Sequence, residues 1–154
     1  MDEYQQARAW LEHVRGLKVA EERAARLMEL MEGIAEGAKG IDYTRERVSG
    51  GQAKGMLEES IARIEEQRAS FEASSVAYRA EANAAMDRLS SLDDPDEYEA
   101  LAHHYCGGLE WSEVASLMHF SEARIYEIRR AGVLHAYDVM PDEWRKQAPA
   151  PRTP

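Results

Sequence analysis

An all-α fold is what this sequence predicts, and three observations predict it. Apolar residues recur at alternating steps of three and four over two long stretches, 17–34 and 57–92, which is the spacing of a helix face. Charged residues make up 31% of the chain and the hydrophobic set 44%, with two Phe, a composition that suits long solvated helices better than a thick globular core. A third stretch, Leu109 to Gly132, has the more particular spacing of two helices that cross at a small residue. The expected architecture is a long N-terminal helical hairpin, a coiled-coil arm over residues 1–92. A small helix-turn-helix domain over 93–145 and a flexible tail over 146–154 follow it.

The 154 residues allow one domain or two small ones. A formal net charge of −10 repels nucleic acid and anionic membrane alike, so any DNA contact must be local. Cys106 is the only cysteine, which excludes an internal disulfide and points to a reducing, intracellular compartment. The opening MDEYQQARAW has neither a basic n-region nor an apolar h-region, and no apolar run reaches the roughly 18 residues of a membrane span. A soluble, cytoplasmic protein without membrane association is expected.

The first helix is expected from about Asp2 to Glu36, with Trp10, Val14, Leu17, Ala20, Ala24, Leu27, Met31 and Ile34 on one stripe. Glycines 37, 40, 50 and 51 then bracket a polar loop in which Arg45 and Arg47 interrupt the acidic background. From about Gln52 to Leu92 the positions Leu57, Ile61, Ile64, Arg68, Phe71, Ser75, Tyr78, Ala82, Ala85, Leu89 and Leu92 step by four and three without a break. Spacing sustained over that length argues for a coiled-coil seam, in which the polar Arg68 and Ser75 set register or oligomeric state. A two-helix hairpin buries little alone, so the arm is expected to pair with a second copy or another protein. The expected homodimer contacts are Leu57, Ile61, Ile64, Arg68, Phe71 and Tyr78.

Asp94 is a good N-cap, Pro95 suits the first helical position, and Glu97 stands where it would complete a capping box. The new helix carries Tyr98, Leu101, Ala102 and Tyr105 on one face and stops at Gly107-Gly108, which puts the domain boundary between Leu92 and Asp94. Counting then runs from Ala115, the small residue at the crossing, with Val114, Met118, Phe120, Ile125 and Ile128 filling the wedge. Ser121 follows the turn as N-cap of a second helix. Leu134 and Tyr137 continue the apolar face, a short turn over Pro141 to Trp144 packs Trp144 on the small domain, and QAPAPRTP ends in a proline-rich tail.

No enzymatic constellation emerges. His103, His104 and Cys106 lie close together, but a structural zinc site needs four ligands in two recognisable pairs. The run DDPDEYE lacks the twelve-residue loop of a calcium site, and glycine-rich phosphate loop, nucleophile elbow and HExxH patterns are missing. Neither a metal nor a cofactor is expected.

The segment LAHHYCGGLEWSEVASLMHFSEARIYEIRRAGVL resembles phage-encoded proteins whose C-terminal part is similar to region 4 of bacterial sigma factors, among them late-operon activators and prophage proteins. Leu101, Tyr105, Gly108, Trp111, Val114-Ala115, Phe120-Ser121, Ile125-Tyr126 and Ile128 carry the resemblance. Glu110 stands where that pattern favours Ser or Thr. Upstream of residue 92 the likeness is one of character only.

The resemblance implies a phage or prophage transcriptional regulator in the bacterial host cell, bound to promoter or operator duplex and dimeric through its arm. In helix-turn-helix docking, Ser121, Glu122, Ala123, Tyr126 and Glu127 would reach base edges, a glutamate being able to accept from cytosine N4. Arg124, Arg129 and Arg130 would hold phosphates. Between Leu101 and His135 these three arginines stand against Glu110, Glu113, Glu122 and Glu127, so the segment has no basic footprint of its own. The alternative is an acidic protein-binding module on the same scaffold: an anti-defence inhibitor of a basic nucleic-acid-handling enzyme, or an RNA polymerase-binding factor. Its working residues would be Glu58, Glu59, Glu65, Glu66 and Glu72. A DNA-packaging component is a third reading.

Overall fold

The computed structural model describes residues 1–39 and 50–146, and among these every regular element is helical. The helices are α1 (Glu3–Lys39), α2 (Gly50–Leu89), α3 (Pro95–Leu101), α4 (Trp111–Met118) and α5 (Glu122–Ala136). A π-helical turn, Ala102–Cys106, extends α3, and a 3-10 turn, Asp142–Trp144, follows α5. The loop expected around Gly40, Arg45 and Arg47, and the proline-rich tail from residue 147, lie outside the described residues.

Local chemistry explains the helix ends. At the start of α1, Gln5 N–H donates to Asp2 Oδ1 at 2.8 Å and Asp2 N–H donates to Gln5 Oε1 at 3.1 Å, a reciprocal cap. The helix then runs through Gly37 to Lys39, beyond the expected end at Glu36. Helix α2 stops at Leu89, short of the expected Leu92. There the Ser90 and Ser91 hydroxyls donate to the carbonyls of Asp87 and Arg88, each at 2.6 Å, drawing last-turn acceptors out of the helix. Asp94 caps α3 as expected, its carboxylate accepting from Asp96 N–H at 2.9 Å.

Two compact units make up the chain, one formed by Met1–Lys18 with Arg79–Pro154, the other by Val19–Tyr78. The expected boundary between Leu92 and Asp94 falls inside the first unit. The reason is burial: Ala7, Trp10, Leu11 and Val14 recur on one face of α1, Ala82, Ala85 and Leu89 on one face of α2. Both sets are as buried as Leu101, Tyr105, Val114, Val133 and Met140. Polar contacts tie the same unit together. Arg88 Nη1 donates to Val139 O at 3.0 Å, and Lys146 N–H donates to Gln6 Oε1 at 2.8 Å. Trp144, expected against the C-terminal helices, sets its ring against His13 of α1 in a tilted arrangement, with centroids 5.1 Å apart.

Glu97 corrects another expectation. Rather than closing a capping box it is buried, and its carboxylate is bonded to Nδ1 of His135 on α5. This pairing holds α3 close to α5, and Gly132 makes the approach possible. A Cβ there would stand 3.2 Å from Leu101 Cδ1 and 3.3 Å from Glu97 Cβ. At the far end of α3 the π turn closes through Gly107 N–H donating to Ala102 O at 2.9 Å. A Cβ on Gly107 would lie 2.6 Å from the His103 carbonyl oxygen, and Gly108 turns the chain away with φ 76°.

In the second unit the buried side chains are small: Ala24, Ala35 and Ser75. Gln67 Nε2 donates to Ala24 O at 3.2 Å, and Arg68 Nη2 lies 4.0 Å from Glu32 Oε1. The large apolar residues Leu27, Leu30, Ile34, Met56, Ile61 and Val76 are all exposed, each by 46% or more. One copy of this unit therefore leaves much of its apolar surface in water.

Candidate nucleic-acid interface

The C-terminal helices present a surface built on one apolar cluster. Ala100, Val114, Ala115, Ile125 and Ile128 form its buried centre, with Leu109, Trp111, Met118 and Phe120 packed around it. Ala115, buried where α4 meets α5, is the small side chain that close crossing requires. Helix α4 ends at His119, a left-handed residue with φ 59° and ψ 39°. Phe120 N–H then donates back to Ala115 O at 2.9 Å, and Ser121 Oγ accepts from Arg124 N–H at 3.1 Å to open α5.

With Ile125 and Ile128 turned inward, Glu122, Ala123, Arg124, Tyr126, Glu127 and Arg130 are exposed along α5, Ser121 is exposed at its cap, and Arg129 is half-buried. All the residues singled out in the sequence for DNA contact thus lie on one element, outside the core. Their charges are not equally available. Arg124 Nη1 lies 3.6 Å from Glu127 Oε2, and the Arg129 guanidinium stands 5.2 Å from the Trp111 ring centroid, a cation–π arrangement. Arg130 makes no ion pair among the described residues.

Glu110 N–H donates to Glu113 Oε1 at 3.3 Å at the start of α4. The Glu110 carboxylate is met by Arg15 of α1, whose Nη2 lies 3.2 Å from Oε1 and 3.4 Å from the Gly108 carbonyl. One of the four glutamates counted against this segment is therefore neutralised from a residue far away in sequence. Behind α4, His104 stacks on Trp111 with centroids 4.1 Å apart and its Nδ1–H donates to Leu109 O at 2.6 Å. Burial pushes the His104 imidazole down to a pKa of about 4, so it is neutral at pH 7.

A groove of about 540 Å³ runs beside α5. Tyr126, Arg129, Arg130 and Leu134 form one wall, and Asp2, Tyr4 and Arg8 of the first turns of α1 form the other. Sequence reasoning missed Arg8 as a neighbour of α5, and Arg15 as a partner of Glu110 at the start of α4, because it assigned the first helix to a separate arm. The signal was present: they are seven residues apart, hence on one helix face, and flank the apolar set Trp10, Leu11 and Val14. A smaller pocket of about 220 Å³ lies between Trp111, Ser112, Glu122, Ile125, Tyr126 and Arg129.

In the second unit, the residues expected at an oligomer interface divide by exposure. Leu57, Ile64, Phe71 and Tyr78 are half-buried, while Ile61 and Arg68 are exposed. Near α3, His103 Nε2 lies 3.5 Å from Glu99 Oε1, and Cys106 is buried with its thiol pushed by burial up to a pKa of about 11. Among the described residues no three His, Cys, Asp or Glu side chains gather as a metal cluster, and no helix is long and apolar enough to cross a membrane. Comparison with protein-family models, characterised proteins and solved structures gives no match.

Proposed function

We propose that the chain is a DNA-binding transcriptional regulator of phage or prophage type. In this reading α4, the turn at His119 and α5 act as a helix-turn-helix with α5 in the major groove. The observation that carries the reading is the division of α5. Ile125 and Ile128 anchor it in the apolar cluster, and Ser121, Glu122, Ala123, Tyr126 and Glu127 are left exposed from its capped N-terminus onward. Arg124, Arg129 and Arg130 hold backbone phosphates and carry no sequence information. The long helices form a hairpin arm whose exposed Leu27, Leu30, Ile34, Met56 and Ile61 are covered by a second copy, giving the dimer that a two-fold operator needs.

A second reading is favoured by the same exposed apolar residues set among the carboxylates Glu58, Glu59, Glu65, Glu66 and Glu72. In it the acidic unit docks a basic protein, such as RNA polymerase or a nucleic-acid-handling enzyme, and α4–α5 is scaffold. Gel shift with phage promoter fragments separates the two. Under the first reading, changes at Ser121, Glu122 or Tyr126 alter which sequences are bound, each lost base contact being worth roughly 1–3 kcal/mol. Absence of binding to every fragment, together with loss of biological activity on reversing the arm carboxylates, would establish the second.

A further inference from the structure

We infer that the groove between the first turns of α1 and the outer wall of α5 is a phosphate-binding cleft, in which Arg8 joins Arg129 and Arg130 on the DNA backbone. The inference rests on the DNA-binding reading and extends it to an element that the C-terminal segment does not contain. Three arginines and two tyrosines, Tyr4 and Tyr126, line this groove, against a single acidic residue, Asp2. The Asp2 carboxylate is already engaged at the α1 cap by Gln5 N–H.

Two further observations support the cleft. The Tyr105 hydroxyl is buried without a hydrogen-bond partner, and the charges of Glu12, Arg129 and Arg8 all bear on it, as does Tyr4. The two arginines, on different helices, are therefore near one common point. Moreover, the groove continues the exposed side of α5: Tyr126 is shared between the proposed base-reading face and the groove wall. A helix whose first turns read bases carries the flanking backbone alongside its later turns, where Arg129 and Arg130 stand. Arg8 is half-exposed and pairs with Glu12 only at 3.7 Å, an exposed contact that a phosphate can displace.

The test uses the full chain and a fluorescein-labelled duplex of mixed sequence, because phosphate contacts do not depend on base identity. Affinity is measured by anisotropy over a series of salt concentrations. Loss of one phosphate contact should lower the slope of log affinity against log salt by about 0.9 in Arg8→Gln, as in Arg130→Gln. Asp2→Asn keeps the cap, removes the groove's carboxylate and should tighten binding; it serves as the second variant if Arg8→Gln melts below the parent. An unchanged slope in Arg8→Gln beside a reduced slope in Arg130→Gln would overturn the cleft and leave the DNA-binding reading standing. A parent chain that binds no duplex would overturn both. Displacement of the duplex by inorganic pyrophosphate, at an ionic strength where chloride does not displace it, would assign the groove to a small phosphate ligand and also overturn the inference.

Discussion

His104 shows how one side chain can carry a pH response. Its neutral ring is held between Trp111 and the Leu109 carbonyl, with a pKa lowered from 6.5 to about 4. A folded-state pKa below the unfolded one means that protonation favours the unfolded chain. The stabilisation is complete above pH 6.5 and is lost as pH falls toward 4, at a rate of up to about 1.4 kcal/mol per pH unit. Urea unfolding between those limits should therefore show a steeper loss of stability for the parent than for His104→Phe, which keeps an aromatic ring against Trp111 but cannot titrate. Parallel curves would exclude His104 as the source. At this scale the sequence was legible where the chemistry is local: Asp94 and Ser121 cap their helices as their side chains dictate. Glu97 was not, because its burial depends on His135, brought to it by α5.

At the scale of elements, the turn between α4 and α5 depends on His119 adopting left-handed backbone. A side chain there costs energy that glycine avoids, so His119→Gly should stabilise the fold by about 0.5–1 kcal/mol, while β-branched His119→Val should destabilise it. Thermal melts of the two variants on either side of the parent would check this. Gly107→Ala should be the more damaging change, since its Cβ meets the backbone oxygen of His103 rather than a side chain that can move. The spacing around Ala115 was readable because it encodes packing between neighbours in sequence. The π turn over Ala102–Cys106 was not, since periodicity over five residues does not distinguish it from α-helix.

At the scale of the molecule, the all-helical composition was legible from periodicity, and the division into units was not. Periodicity reports which face of a helix is buried and says nothing about which partner buries it. Hence Trp10 and Val14 were read as part of an arm although they lie, with Leu11, in the same unit as Val114 and Val133. A chain starting at Asp94 lacks these side chains and Leu89, and should show no cooperative melt at the temperature of the full chain. In the other unit, Ile61→Asp with Ile64→Asp should dissociate a dimer formed by the arm, because each places a charge on an apolar seam. Sedimentation that gives the same mass for variant and parent would remove the arm as interface.

The joining of Met1–Lys18 to Arg79–Pro154 in one unit also bears on how the protein is made. Gln6 meets Lys146 across 140 positions, and Arg15 meets Gly108 across 93. Chain closure over such separations slows folding, and during synthesis the first turns of α1, with Trp10 and Leu11, leave the ribosome long before Val133 and Met140 of the same unit exist. A nascent chain stalled before α5 should consequently present that tryptophan face to chaperones, and release of the completed chain should end the association.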